Sequence, residues 1–96
     1  MELPIIHNTK LSRFETELEG EYAFVEYQFY KEDFAIMHTY VPVHARGRGI
    51  ASALAKHVLD YVKEQDLRLL VFCPTVARYI RTHPEYRVLL DRQYLQ

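Results

Sequence analysis

Tryptophan is absent from this 96-residue chain, cysteine occurs once, glycine three times and proline four times. A lone cysteine excludes an intrachain disulfide and a cysteine-rich zinc site, and points to a reducing compartment, here taken as the cytoplasm. So little glycine and proline leaves no linker, low-complexity tract or internal repeat, and no domain boundary can be drawn. No apolar run approaches the roughly 18 residues of a membrane span. Neither sign of charge prevails: 12 Lys+Arg face 13 Asp+Glu, a formal net charge of −1. That balance offers no general basic surface for nucleic acid. The opening stretch from Met1 to His7 is too short and too acidic for a secretory signal. The five histidines show no His-x-x-x-His spacing, so no metal site is expected.

What is present is a globular balance, 49% hydrophobic and 26% charged, with eight Tyr and five Phe to give bulk to one modest core. The expectation is a single domain over residues 1–96, monomeric or weakly homodimeric. Phe14, Thr16 and Leu18 alternate with Arg13, Glu15 and Glu17, the period of a first strand over Leu11–Leu18 with one wet face. Glu19-Gly20 turns the chain. Tyr22–Tyr30 is aromatic and β-branched and reads as a second strand, joined through Lys31-Glu32 to a third over Asp33–Val41. Phe34, Ile36 and Tyr40 would share one face of that third strand, and Ala35, Met37 and Val41 the other. Apolar residues on both faces place it centrally, covered on both sides. Pro42 ends its ladder.

Beyond Gly49 the period becomes helical: Ile50, Leu54, Val58, Tyr61 and Val62 form one stripe, and the helix should run from about Gly49 to Gln65. Leu67–Phe72 suits a buried parallel strand. The sum is an α/β fold, with antiparallel strands leading into a β-α-β unit and a mixed sheet flanked by two helices. Cys73-Pro74 stops the last strand, and Thr75 is positioned to cap a second helix running to about Thr82. Tyr86–Leu90 fits a final strand or an irregular strap equally well.

Val41 to Ser52 carries the chemistry. It joins a strand to a helix N-terminus, where the first backbone N–H groups lack partners and the helix dipole adds roughly half a positive charge. Gly47 and Gly49 allow unusual φ values and close ligand approach, while Arg46 and Arg48 add charge-assisted donors. Such a loop suits a phosphate or pyrophosphate. It is neither a Walker loop, lacking Gly-Lys-Ser/Thr, nor the dinucleotide fingerprint, lacking the third glycine and the acidic partner.

Arg46-x-x-Gly49-x-Ala51 resembles the Gln/Arg-x-x-Gly-x-Gly/Ala signature of the GNAT N-acetyltransferase superfamily, whose members bind acetyl-coenzyme A. The chain is more narrowly similar to the small single-domain GNAT-like acetyltransferases. They share a His-Thr-Tyr-Val-Pro stretch, here His38-Thr39-Tyr40-Val41-Pro42, and a cysteine after the next strand, here Cys73. The likeness extends from about Phe14 to Tyr86. It implies a compact GNAT-like fold, with Val41 and Val43 pairing by backbone with the pantetheine arm. The N–H groups of Gly47, Arg48, Gly49, Ile50 and Ala51, with Ser52 beside them, would hold the pyrophosphate. It also implies acetyl transfer to an unidentified amine, of a polyamine, a small amine or a protein. A non-catalytic acyl-coenzyme A sensor is the rival from another class, and an interaction domain with a vestigial loop a weaker one.

His38 and Cys73 fall near the carboxyl ends of two strands expected side by side. Direct attack by an amine with His38 as base, and a route through acetylated Cys73, both follow. Cys73 as a small core residue and His38 as a hydrogen-bonded core residue are the structural alternatives. Tyr79 is a candidate general acid and Glu26 a further candidate base. His44 and His57 read as surface residues, and His83-Pro84 as a helix stop. Full-length GNAT domains carry helices between their first two strands. This chain has only a turn there, which implies an open acceptor cleft.

Overall fold

The computed structural model describes residues 3–92. Five strands form one sheet in the order β1-β2-β3-β4-β5, namely Ile6–Asn8, Arg13–Leu18, Glu21–Tyr30, Asp33–Tyr40 and Leu69–Val71. The first four run antiparallel, and β5 lies parallel to β4. Helix α1 (Ile50–Glu64) makes the crossover and helix α2 (Pro74–Thr82) follows β5. The expected α/β architecture and β-α-β unit are therefore present. One strand was not foreseen: β1 is three residues long, too short to show a period of two.

The core lies between one face of the sheet and α1. Phe14, Val25, Tyr27, Phe34 and Ile36 from the sheet meet Leu54, Val58, Leu59 and Val62 of α1, joined by Val76 and Ile80 of α2. Burying each such aliphatic or aromatic side chain contributes about 1.5–3 kcal/mol, so this interface carries most of the fold. The aromatic rings interlock, Tyr27 stacking on Phe34 with centroids 4.4 Å apart and His7 of β1 on Phe14 at 4.1 Å.

Two expectations about β4 and α2 need correction. Pairing of β4 with β3 runs Tyr27↔Ile36 and then Glu26↔His38, so Met37 is an extra residue, a β-bulge. The bulge resets the alternation of faces. Thr39 pairs opposite the fully buried Val25 and so joins the core face. His38 and Tyr40 join Phe24 and Glu26 on the opposite face, where Tyr40 is half-exposed beside the Phe24 ring. Tyr40 therefore does not share a face with Phe34 and Ile36. Beyond Ile36 the strand is covered on one side only. In α2 the N-cap is Cys73 with Pro74 at the first helical position, and no side chain caps the end. Thr75 lies two residues past the capping position. Proline's fixed φ is pre-organised for this position, and its missing N–H is one the helix cannot use there.

The tail is neither strand nor irregular strap. Pro84–Leu89 is a 3-10 helix, and Leu90 adds one parallel bridge to Leu69. Tyr86 anchors this segment by donating from its hydroxyl to Asp60 of α1 at 2.7 Å. Among the described residues no helix is long and apolar enough to cross a membrane.

Candidate functional site

The bulge and a proline together open the site. β4 and β5 pair only through Ile36, whose carbonyl accepts from the Phe72 N–H at 2.9 Å. Past that bond β4 continues to Tyr40 while β5 gives way to Pro74 and α2. The strands separate into a cleft of about 540 Å³. One wall is the end of β4 from His38 to Tyr40 with Val41 after it, the floor is the loop of Arg46, Gly47 and Gly49, and the first turn of α1 with Thr75 closes the far side.

The loop has the geometry of an anion cradle. Gly47 and Gly49 sit at φ +83° and +79°, the left-handed region that favours glycine, and a Cβ at either would meet nothing within 4 Å. Glycine is needed here for its backbone angle rather than for space. Gly49 is the N-cap of α1, and no side chain caps the helix. The first helical bond runs from Ala53 N–H to Gly49 carbonyl at 3.0 Å. The N–H groups of Ile50, Ala51 and Ser52 therefore precede the helix's own bonding pattern and face the cleft end of its dipole.

The two arginines do more structural work than a pair of free cations would. Arg46 donates from Nε to the Val41 carbonyl at 2.9 Å, and its backbone N–H donates to the Val43 carbonyl at 3.2 Å. The carbonyls of Val41 and Val43, the two residues expected to pair by backbone with a pantetheine arm, thus each accept a bond from Arg46, and Val43 is 73% exposed in a 3-10 turn rather than in the cleft wall. Arg48 donates to the His44 carbonyl at 3.3 Å and pairs with Glu19 at 3.7 Å. His44 in turn bonds Glu21 at 2.9 Å, so the β2–β3 turn braces the loop. Sequence reasoning missed this brace, because nothing local links Glu19 and Glu21 to a loop more than twenty positions on.

His38 and Cys73 are not partners. His38 is exposed, at the cleft edge, on the open face of the sheet, with Glu26 directly opposite it in the ladder. Cys73 is 3% exposed within the core and shares a 3.2 Å hydrogen bond with Thr39 Oγ1. The bulge is what turns Thr39 toward the thiol. Tyr79 lines a neighbouring hollow rather than the cleft. Its ring stacks on His83 with centroids 3.9 Å apart, and burial raises the pKa of its phenol.

Comparison with known proteins agrees with this architecture. The family model described as GCN5-related N-acetyl-transferase matches residues 13–89. Protein NATD1 of Xenopus tropicalis is 36% identical over 81 residues, covering 81% of this chain and 74% of that protein. Protein NATD1 of Bos taurus is 37% identical over 81 residues, covering 81% and 72%. Its Homo sapiens counterpart is 36% identical over the same length and shares. In three dimensions the chain resembles a GCN5-like protein of Staphylococcus aureus solved by NMR, with a TM-score of 0.66. That match has 20% identity and covers 98% of this chain and 96% of the other. At such identity it speaks for the fold alone. The length and coverage of the family match are decisive: the chain belongs to the GCN5-related N-acetyltransferase family.

Proposed function

We propose that this acetyltransferase-family chain binds acetyl-coenzyme A in the β4–β5 cleft and transfers acetyl to a primary amine by direct attack. The observation that carries the reading is the uncapped start of α1 behind two left-handed glycines, opening into the cleft. Three N–H groups, a helix dipole and the flanking guanidinium groups are the donor set a pyrophosphate needs. Gly47 to Ser52 would hold it, with the remaining N–H groups of Arg46 and Arg48 as outer donors. The wall formed by Thr39 and Tyr40 of β4 with Val41 after it would position the arm that leads to the thioester.

The bound cosubstrate supplies an activated acetyl group as its thioester. The chain's task is to place the amine and take its proton. His38 lies at the cleft edge on the sheet face open to solvent and is assigned as general base, with Glu26 opposite it to stabilise the imidazolium. Cys73 is assigned no covalent role: its burial and its bond to Thr39 fit a lock at the point where the strands part. Among the described residues no helix or strand covers the face bearing His38, Phe24 and Tyr40, because the two-residue turn between Leu18 and Glu21 leaves no helix there. The acceptor site is therefore open, suited to an amine on a larger partner or on a polyamine.

Calorimetric titration with acetyl-coenzyme A, beside the double variant Arg46→Ala, Gly49→Asp, tests the cradle. Wild-type binding that the double variant abolishes is the expected result, and equal binding by both rejects the site. Release of free thiol with a panel of amines then separates transfer from sensing. Tight binding without release above the uncatalysed rate would leave a sensor.

A further inference from the structure

β5 is the last strand in the sheet, so one of its edges faces no other strand. Its bonds toward β4 include the Arg68 carbonyl, which accepts from Phe34 N–H at 2.8 Å, and the Phe72 N–H, which donates to the Ile36 carbonyl at 2.9 Å. Alternation along the strand therefore turns the backbone groups of Leu69 and Val71 outward. The Leu69 carbonyl accepts from Asp91 N–H at 2.9 Å. At Val71, the next outward position, no hydrogen bond among the described residues takes the N–H or the carbonyl.

Beside Val71 lies a hollow of about 250 Å³ between β5, α2 and the 3-10 tail. Val71, Phe72, Ala77, Ile80 and Leu90 give it an apolar lining, and Arg81 and Arg87 add two guanidinium groups. Arg87 and Leu90 also line an adjoining hollow of about 530 Å³, together with Arg68 and Arg92. Neither hollow shares a lining residue with the cleft. We propose that this edge groove docks an extended acidic segment of a partner protein, which pairs by backbone at Val71, seats an apolar side chain in the smaller hollow and sets carboxylates on Arg81 and Arg87. The proposal stands apart from the coenzyme A reading.

Charge identifies the occupant. Between Arg68 and Arg92 five arginines face two acids, Glu85 and Asp91, in a chain whose net charge is −1. Among the described residues no carboxylate lies within ion-pair distance of Arg68, Arg81, Arg87 or Arg92. Asp33 and Asp91 lie at the Arg68 end, their carboxyl groups hydrogen-bonded to each other, and no described acid lines either hollow. Phe72 is 57% exposed, a large apolar side chain left to water beside those guanidinium groups. Aromatic and arginine side chains around an apolar centre are the composition of a protein-binding surface.

Two other occupants fit less well. A second copy of this chain would offer its other sheet edge, β1, whose Ile6-His7-Asn8 carries no acid. Two β5 edges brought together would set arginine against arginine. Nucleic acid stacks successive bases on several aromatic rings, and Phe72 is the only aromatic among the described residues lining the groove.

Fluorescence anisotropy with a labelled alternating Glu-Val octapeptide tests the proposal, beside a Lys-Val peptide of equal length and a single-stranded oligothymidylate. The Glu-Val peptide should bind, weaken as salt is raised, and lose at least about tenfold in affinity in the double variant Arg81→Glu, Arg87→Glu. Both arginines are exposed, and an unchanged Tm confirms that the variant folds. Phe72→Ser should weaken binding several-fold, and bound peptide should protect the Val71 N–H from exchange. No binding by the wild-type protein, undiminished binding by the double variant, equal binding of the Lys-Val peptide or an unprotected Val71 overturns the proposal. Tighter binding of oligothymidylate would make the groove a nucleic-acid site, and self-association abolished by the double variant would make it an interface between copies; either result overturns it. Peptide binding seen only in a chain ending at Arg92 would assign the groove to residues 93–96, and overturns it too.

Discussion

Gly49→Val separates the cradle's conformation from the stability of the fold. Gly49 sits at φ +79° with open space around the place of a Cβ. An added side chain therefore meets no neighbour, and its whole cost is backbone. Left-handed φ costs an ordinary L-residue about 1–2 kcal/mol and is a genuine outlier for a β-branched one. The loop should relieve this by turning the Gly49–Ile50 peptide, which re-aims an N–H away from the cleft. One lost hydrogen bond to a charged group is worth about 1.5–3 kcal/mol, so affinity for coenzyme A should fall at least about tenfold. Residual strain of about 1 kcal/mol would lower Tm by about 4–8 °C in a domain of this size. Val62→Ala is the control, a fully buried position in the last turn of α1. Its lost methyl groups and cavity should cost about 2 kcal/mol while affinity stays within about twofold. Calorimetry and thermal denaturation on both variants give the answer. Wild-type affinity in Gly49→Val, or an equal loss in Val62→Ala, would refute the reasoning.

Three other outcomes follow from the same structure. Cys73→Ala should keep kcat within about threefold of wild type, whereas His38→Ala should lower it about 10²–10⁴-fold, the range for a positioned base; a steady-state thiol-release assay reads both, and the reverse order would restore the covalent route. Thr16 is 1% exposed, and its hydroxyl has no hydrogen-bond partner among the described residues, so Thr16→Val should raise Tm by several degrees by removing a cost of about 1–3 kcal/mol. Burial, and then the nearby His57, holds the pKa of His7 below the ordinary value of 6.5. The fold thus favours neutral His7, the unfolded chain binds more protons as pH falls below about 6.5, and stability should decline there. Urea denaturation from pH 8 to pH 5 measures that slope, which His7→Gln should flatten.

The loop was legible in the sequence because its constraints are local. A glycine pair, two arginines and a change of period from two to 3.6 residues all fall within Val41–Leu54. The main core stripe of α1 was legible for the same reason. The face of Tyr40 depended on counting alternation through Met37, and a bulge leaves no mark in a strand apolar on both sides; the position of His38 and Cys73 at adjacent strand ends does not reveal that the bulge turns Thr39, and not His38, to the thiol. Thr75 misled because it is a good capping residue one position beyond a better-placed proline. The brace from Glu19 and Glu21 to His44 and Arg48 is long-range, and only the sheet register brings the turn to the loop.

Backbone amide NMR during titration with acetyl-coenzyme A tests the central claim most directly. The N–H resonances of Ile50, Ala51 and Ser52 are expected to shift the most and gain protection from exchange, as donors newly bonded to a diphosphate. Largest shifts at the opposite end of the sheet, around Arg68 and Arg87, with the α1 amides unmoved, would contradict it.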